Sequence, residues 1–279
     1  MQGVHTAIVT PFADGELDEA AFVRLVERQV AGGVHGVVVA GTTGESPTLS
    51  DDERARLLAL ALAHRGQTTI TMGVGTNDTR STVRNTEAAA AQGAHAGLLV
   101  LPYYNKPTPD GLRAHVRAAA AVGLPLMVYH VPGRTGQLLA PELLASLLEI
   151  DGVTSCKEAT GDLTYGQNLL LRTDRAVLSG DDFTWLPLLS VGATGVVSVL
   201  SNIAPADTVG VWDAWRAGDT ALAAARHKRL YPLVRWLFAM TSPTPCKAAL
   251  AAMGLCRNEL RLPLTAVEGP PAGLLDGLR

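Results

Sequence analysis

The amino-acid sequence predicts an α/β protein: a (β/α)8 TIM barrel followed by a small C-terminal helical extension. Eight short apolar or β-branched segments recur within residues 4–200. Longer alanine- and leucine-rich segments with helical spacing separate most of them, and this alternation indicates a parallel sheet. The short segments are continuously apolar, as expected of strands that are buried on both faces. Eight such repeats match a closed barrel in number and length.

The strands are predicted in chain order from these apolar segments. They cover residues 4–9, 36–41, 69–74, 97–102, 125–131, 153–157, 176–180 and 194–200. An open doubly wound sheet is the alternative, but such a sheet usually has a phosphate-binding glycine turn after its first strand. Here the first strand is followed by Thr10-Pro11-Phe12 instead, which favours the barrel.

Helix signals fall between these strands and after them. Residues 19–33 and 51–66 have helical spacing, Ser50 and Glu53 form a capping-box pattern, and Pro141 opens another helix. After residue 217 the strand rhythm stops, and helices are predicted over residues 220–240 and 246–255. The sequence thus predicts a catalytic barrel over residues 1–217 and a helical extension over residues 218–279.

Composition narrows the class of protein. The chain has 279 residues, 47% of them hydrophobic and 18% charged, and a formal net charge of −3. A slightly acidic chain without a basic run is a poor match for nucleic acid or an anionic membrane. No apolar segment reaches the roughly 20 residues of a membrane-spanning helix. The N-terminus lacks signal-peptide features and the three cysteines have no CxxC spacing, so we expect a cytoplasmic protein with reduced thiols.

Lys157 is the most informative residue of the sequence. It is one of only four lysines and the only one that ends a predicted strand. Functional groups of these barrels lie at the C-terminal ends of the strands. Burial disfavours the charged form of an amine, and a neutral amine is a nucleophile for carbonyl carbon. Lys157 is thus a candidate Schiff-base lysine, with a structural ion pair as the alternative.

Other strand ends carry residues that suit such chemistry. Tyr129 ends the neighbouring strand and offers a proton donor and acceptor, although strand-end tyrosines also serve packing alone. Thr42 and Thr43 lie in a glycine-bounded turn that either binds a carboxylate or is a simple tight turn. Arg134 follows Pro132-Gly133, where its guanidinium either binds a carboxylate or is solvated. No metal-ligand spacing is present, so no metal or other cofactor is expected.

Four motifs, GTTGES, PYYN, YxVPxRTG and KEATG, occur here in this order. In these motifs the sequence resembles the dihydrodipicolinate synthases, which belong to the pyruvate-dependent class I aldolase family together with N-acetylneuraminate lyase. The similarity extends from Ala7 to Pro263. It implies that pyruvate condenses with L-aspartate 4-semialdehyde to give 4-hydroxy-tetrahydrodipicolinate, on the route to diaminopimelate and lysine. GTTGES and the arginine of VPGRTG are the parts most specific to the synthases.

The resemblance implies a role for each matching residue. Lys157 would form the imine with pyruvate, and Tyr129, Thr42 and Tyr104 would form a proton relay. Tyr104 would come from a neighbouring subunit, so the site would need a homodimer or a dimer of dimers. The substrate-binding residues implied are Thr43 for the pyruvate carboxylate, Arg134 for the second substrate, and Gly180 and Val197 along the pocket.

Two alternative functions remain open, and two positions of the sequence differ from the family pattern. The chain is either a synthase, a sister aldolase or hydratase-aldolase that uses another aldehyde or sugar acid, or a non-catalytic binding protein. His130 stands where the family usually has asparagine, which bears on the second substrate. Ser81 stands where lysine-inhibited members carry a glutamate, so inhibition by free lysine is expected to be weak or absent.

Overall fold

The computed structural model describes residues 1–278, in which eight parallel strands close into a barrel. The barrel strands are β1 (Gly3–Ala7), β4 (Gly36–Val39), β5 (Thr69–Gly73), β6 (Ala96–Val100), β7 (Leu126–His130), β8 (Val153–Glu158), β9 (Ala176–Ser179) and β10 (Gly195–Ser198). Their order around the barrel is β1-β10-β9-β8-β7-β6-β5-β4. Each of the eight predicted segments overlaps one of these strands, with observed bounds that differ by two residues or fewer. The predicted fold class is confirmed.

The helices follow the strands as the alternating pattern predicted. They are α1 (Glu19–Ala31), α2 (Asp51–His64), α3 (Thr79–Ala91), α4 (Pro109–Ala120), α5 (Pro132–Thr135), α6 (Pro141–Leu148), α7 (Leu163–Leu170), α8 (Trp185–Leu189), α9 (Pro205–Arg216), α10 (Thr220–Leu237) and α11 (Thr244–Ala252). Within residues 1–278, no helix combines the length and the apolar character needed to cross a membrane.

The capping box at the start of α2 is present as predicted. The Ser50 hydroxyl accepts a hydrogen bond from the Glu53 N–H at 3.2 Å, and the Glu53 carboxylate accepts one from the Ser50 N–H at 2.8 Å. Two N–H groups at the helix start, which have no partner within the helix, are thereby satisfied.

A short hairpin after the first barrel strand was not predicted. β2 (Phe12–Ala13) pairs with β3 (Glu16–Leu17) in antiparallel fashion. Asp14 and Gly15 connect them with φ angles of 56° and 85°. An Asp-Gly pair with positive φ at both positions is the signature of a two-residue hairpin turn, so the signal was present in the sequence.

The chain forms two compact units, and neither is continuous in sequence. The first contains Met1–Gln2 and Thr71–Val197, and the second contains Gly3–Ile70 and the chain from Ser198 onward. The first unit holds β6 to β9 with α3 to α8; the second holds β1 to β4 with α1, α2 and α9 to α11. The expected domain boundary after residue 217 stays a prediction.

Candidate active site

Lys157 lies one residue before the end of β8 and is buried, with 6% of its surface exposed. In the register of β7 and β8, Lys157 pairs with Tyr129. Paired residues of neighbouring strands project to the same face of a sheet. The Lys157 amine accordingly lies 4.2 Å from the centroid of the Tyr129 ring. The structure thus brings together the predicted nucleophile and the predicted proton-transfer group.

Gly180 makes room for the Lys157 side chain. A Cβ atom at Gly180 would lie 2.8 Å from Cε of Lys157 and 2.7 Å from Cβ of Ala159. Contacts under 3.0 Å with these atoms would force the lysine stem or the strand to move. The absence of a side chain at Gly180 therefore leaves room for the Lys157 side chain in its observed position. Val197, on β10, is fully buried.

The residues on either side of Lys157 face away from it. Cys156 and Glu158 alternate with Lys157 along β8, and His130 pairs with Glu158. His130 is fully buried, with its ring 5.5 Å from the ring of Tyr165 on α7. Burial lowers the pKa of His130 to about 4 and raises the pKa of the Cys156 thiol. Burial thus disfavours the thiolate form of Cys156, and His130 belongs to the packing behind β7.

The loop after β6 presents Tyr104 to solvent. Tyr104 is 89% exposed and has a φ of 73°, a left-handed conformation that is uncommon for a non-glycine residue. The Asn105 side-chain amide donates to the Asn77 carbonyl at 2.8 Å and fixes the loop beside it. Because so little of Tyr104 is covered by its own chain, this ring is available to another molecule.

Arg134 lies at the exposed surface of the short helix α5, next to the same loop. The neighbouring Gly136 has a φ of 73°, and a Cβ there would meet Cε of Lys106 at 3.2 Å. Two cationic side chains, Arg134 and Lys106, thus belong to adjoining segments of the first unit. Such a pair suits an anionic ligand.

In the second unit, the turn after β4 carries Thr42 and Thr43. The Gly44 and Ser46 N–H groups both donate to the Gly41 carbonyl, at 3.0 and 3.2 Å, and the Glu45 N–H donates to the Thr42 carbonyl at 3.1 Å. Thr43 is only 4% exposed, yet neither its N–H nor its hydroxyl is used in a hydrogen bond within residues 1–278. Free donors in a tight turn suit a carboxylate.

One feature of this turn could not be found from the sequence. Glu45 is buried and forms an ion pair with Lys247, whose side chain is also fully buried, at 2.5 Å. In the sequence, Lys247 is only a lysine that follows Pro245 near a helix start. Its partner lies far along the chain, so the sequence holds no local signal for the pair.

A parallel barrel that holds a buried lysine beside a tyrosine near its strand ends has the components of one class of protein, the lyases that work through a lysine Schiff base. The dihydrodipicolinate synthetase family model matches residues 1–270. The chain belongs to that family, and it is a lyase.

Known relatives are similar to this chain over nearly its whole length. The 4-hydroxy-tetrahydrodipicolinate synthase of Nitratidesulfovibrio vulgaris strain Hildenborough is 46% identical over 271 residues, which cover 95% of this chain and 93% of the relative. The Thermomicrobium roseum synthase is 47% identical over 268 residues, covering 95% and 89%. The crystal structure of dihydrodipicolinate synthase from Thermotoga maritima has a TM-score of 0.94 at 40% identity, covering 99% of this chain and 95% of that one.

Proposed function

We propose that this lyase condenses pyruvate with L-aspartate 4-semialdehyde to form 4-hydroxy-tetrahydrodipicolinate, in the route to diaminopimelate and lysine. The observation that carries the proposal is the buried Lys157 amine, 4.2 Å from the Tyr129 ring centroid on the adjoining strand. Family membership and relatives of 46–47% identity with this activity favour it over a sister aldolase.

The chemistry begins with the Lys157 amine attacking the carbonyl carbon of pyruvate, after which water leaves and an imine forms. Loss of a methyl proton converts the imine into an enamine, whose carbon attacks the aldehyde of the second substrate. The amino group of the product then adds to the imine carbon. This step releases the Lys157 amine unchanged and closes the ring.

The remaining residues serve binding and proton transfer in this proposal. Tyr129 exchanges protons with the carbinolamine and the imine, in a relay that includes Thr42 and Tyr104. Thr43 binds the pyruvate carboxylate through its free N–H and hydroxyl. Arg134 binds the carboxylate of the second substrate with its guanidinium fork. Gly180 and Val197 shape the pocket.

The working form is proposed to be a homo-oligomer, a dimer or a dimer of dimers. The support is Tyr104, which is 89% exposed in a single chain although the relay requires it at a reaction site. A cytoplasmic location is proposed as well. The cysteines Cys156, Cys246 and Cys256 are all free thiols, and reducing compartments keep thiols in that form.

Borohydride trapping tests the function. The imine is reduced with borohydride in the presence of pyruvate, the protein is digested, and the masses of its peptides are measured. One reduced pyruvate adduct is expected on the peptide that contains Lys157, and Lys157→Ala should abolish both the adduct and turnover. Lys228→Ala, at an exposed lysine of α10, is the matched control and should keep the adduct.

An adduct on another lysine, or none at all, contradicts the Schiff-base mechanism. A panel of aldehydes then tests the second substrate. L-Aspartate 4-semialdehyde should be turned over most efficiently, and Arg134→Ala should raise its KM by about ten- to a hundredfold, the effect of one lost charge-assisted interaction. A higher efficiency with a sugar acid or an aromatic aldehyde would favour the sister-aldolase alternative.

A further inference from the structure

Lys247 is the second buried lysine of the chain, and it lies outside the catalytic groups described so far. It is on α11 and its side chain is fully buried. Its amine contacts the Glu45 carboxylate at 2.5 Å, donates to the Glu259 carbonyl at 2.7 Å, and lies 4.1 Å from the centroid of the Phe12 ring. A lysine is rarely buried to this degree unless it is paired. Here the amine has three partners: a carboxylate, a backbone carbonyl and an aromatic ring.

Glu45 connects this lysine to the turn after β4. Besides the ion pair, its carboxylate accepts a hydrogen bond from the Arg261 N–H at 3.0 Å. Glu45 itself has a φ of 55°, and Ala40, at the other end of the turn, has a φ of 49°. Left-handed backbone at two non-glycine residues persists only where the surroundings impose it. The buried ion pair supplies such a constraint at Glu45.

The same turn carries the free donors of Thr43. The Glu45 N–H closes the turn on the Thr42 carbonyl at 3.1 Å, and the Thr10 hydroxyl donates to the Gly44 carbonyl at 2.7 Å. Thr43 is enclosed between these anchored residues. A rotation of the backbone at Glu45 would therefore redirect the N–H groups at Thr42 and Thr43.

We propose that Glu45 and Lys247 are positioning residues, which hold residues 41–46 in the one conformation that presents the Thr43 donors to the substrate carboxylate. The inference rests on the proposed function, because the ligand is the carboxylate of pyruvate. It also gives the C-terminal helix α11 a part in substrate recognition.

The experiment compares trapping of pyruvate with trapping of methyl pyruvate at Lys157. Both carry the ketone that the amine attacks, but the ester lacks the negative charge. The readout is the ratio of their trapping efficiencies with borohydride, together with KM and kcat for pyruvate. The variants are Glu45→Gln, Lys247→Met and the double variant, which removes both charges and leaves no lone charge in the interior.

Wild-type protein should prefer pyruvate, and Glu45→Gln should lower the preference by about ten- to a hundredfold, mainly through KM. Lys247→Met should act in the same way. The double variant should lose no more than the worse single variant, since the two residues act as one unit. Glu142→Gln is the matched control, because Glu142 forms an exposed ion pair with Arg172 at 2.6 Å; its preference should match wild type.

Three results would overturn the inference. An unchanged preference in Glu45→Gln, or an equal loss of trapping for both ketones, would reduce the pair to a purely structural role. If Lys247→Met does not fold, Glu45→Gln alone tests the inference. That variant is expected to fold, because glutamine keeps an acceptor for the Arg261 N–H. Failure of wild-type protein to trap pyruvate at Lys157 would instead overturn the proposed function, and this inference with it.

Discussion

Tyr129 and His130 are consecutive residues of β7 with opposite surroundings. Tyr129 lies beside the Lys157 amine, whereas His130 packs on Tyr165 behind the strand. The two-residue period of a strand fixes this difference. The replacement of the family's usual asparagine by His130 therefore does not alter the face that carries Lys157, and the choice of second substrate is expected to be unaffected.

The buried histidine leads to a prediction about stability and pH. The pKa of His130 is near 6.5 when unfolded and about 4 when folded, so the unfolded state binds the proton more readily in this interval. Stability is then lost as the pH falls from about 6.5 towards 4. Between pH 7 and pH 5.5, wild type should lose about 1 kcal/mol more free energy of unfolding than His130→Asn.

Urea unfolding of both proteins across this interval measures the difference. The buried Glu158, whose pKa is raised by burial, has the opposite dependence, but it is present in both proteins and cancels in the comparison. Cys156 and Tyr165, which also pack here, have raised pKa values and stay neutral in this range. Parallel stability curves for the two proteins would contradict the prediction.

At the scale of elements, the start of α2 links local and long-range structure. Glu53 completes the capping box with Ser50 and also receives Arg261, whose guanidinium nitrogens lie 2.5 and 2.8 Å from its carboxylate oxygens. One carboxylate thus satisfies a helix end and fixes the segment after α11. Because Glu53 is largely buried and paired with Arg261, this cap also stabilises contacts between segments far apart in the chain.

Removing the cap should destabilise the protein by a measurable amount. Ser50→Ala deletes the acceptor for the Glu53 N–H and should lower the free energy of unfolding by about 1 kcal/mol. Ser190→Ala is the control, since Ser190 is an exposed serine after α8 whose hydroxyl donates to the Pro187 carbonyl at 2.6 Å, a surface bond that water can replace, and caps no N–H group; it should change stability by less than about 0.5 kcal/mol. Chemical denaturation compares the two. Equal effects would show that the Ser50 hydroxyl contributes nothing specific.

At the scale of the molecule, the eight strands and the closeness of Lys157 to Tyr129 could be predicted from the sequence, because local periodicity locates the strands and a parallel barrel brings neighbouring strand ends together. The alternation of apolar and helical segments indicated eight strands. The positions of Lys157 and Tyr129 at the ends of neighbouring strands indicated that their side chains lie close together. The ion pair of Glu45 with Lys247 could not be predicted, because it depends on contacts between segments far apart in the chain. Tyr104 is exposed in the single chain, and the subunit that it contacts stays a prediction.

The proposed subunit crossing of Tyr104 can be tested by complementation. Tyr104→Phe protein and Lys157→Ala protein should each have little or no activity. After subunit exchange at equal amounts, half of the dimers are mixed, and each mixed dimer has one site with an intact Lys157 and a partner's intact Tyr104. About a quarter of the wild-type activity should return. No recovery after exchange is verified by mass would mean that Tyr104 acts within its own chain.

The resemblance implies that any inhibition by free lysine would act through residues outside the proposed reaction site. The resemblance implies a lysine-binding pocket in which Tyr103 and Asn77 match the inhibited members, while Asp51 and Arg54 replace two histidines. The glutamate position is Ser81, whose hydroxyl donates to the Asp78 carboxylate at 2.7 Å. That serine belongs to the first turn of α3, so it is already committed to the helix start.

We therefore expect L-lysine to inhibit this enzyme weakly or not at all. Ser81 offers no carboxylate for a ligand ammonium, and the Arg84 guanidinium donates to its hydroxyl at 2.8 Å, which adds a like charge. One missing charge-assisted hydrogen bond costs about 1.5–3 kcal/mol, or roughly ten- to a hundredfold in affinity. Titration of L-lysine at saturating pyruvate measures this, with calorimetry alongside. Ser81→Glu should strengthen inhibition and its neutral control Ser81→Gln should not, whereas submillimolar inhibition of wild type would mean that other residues bind the ligand.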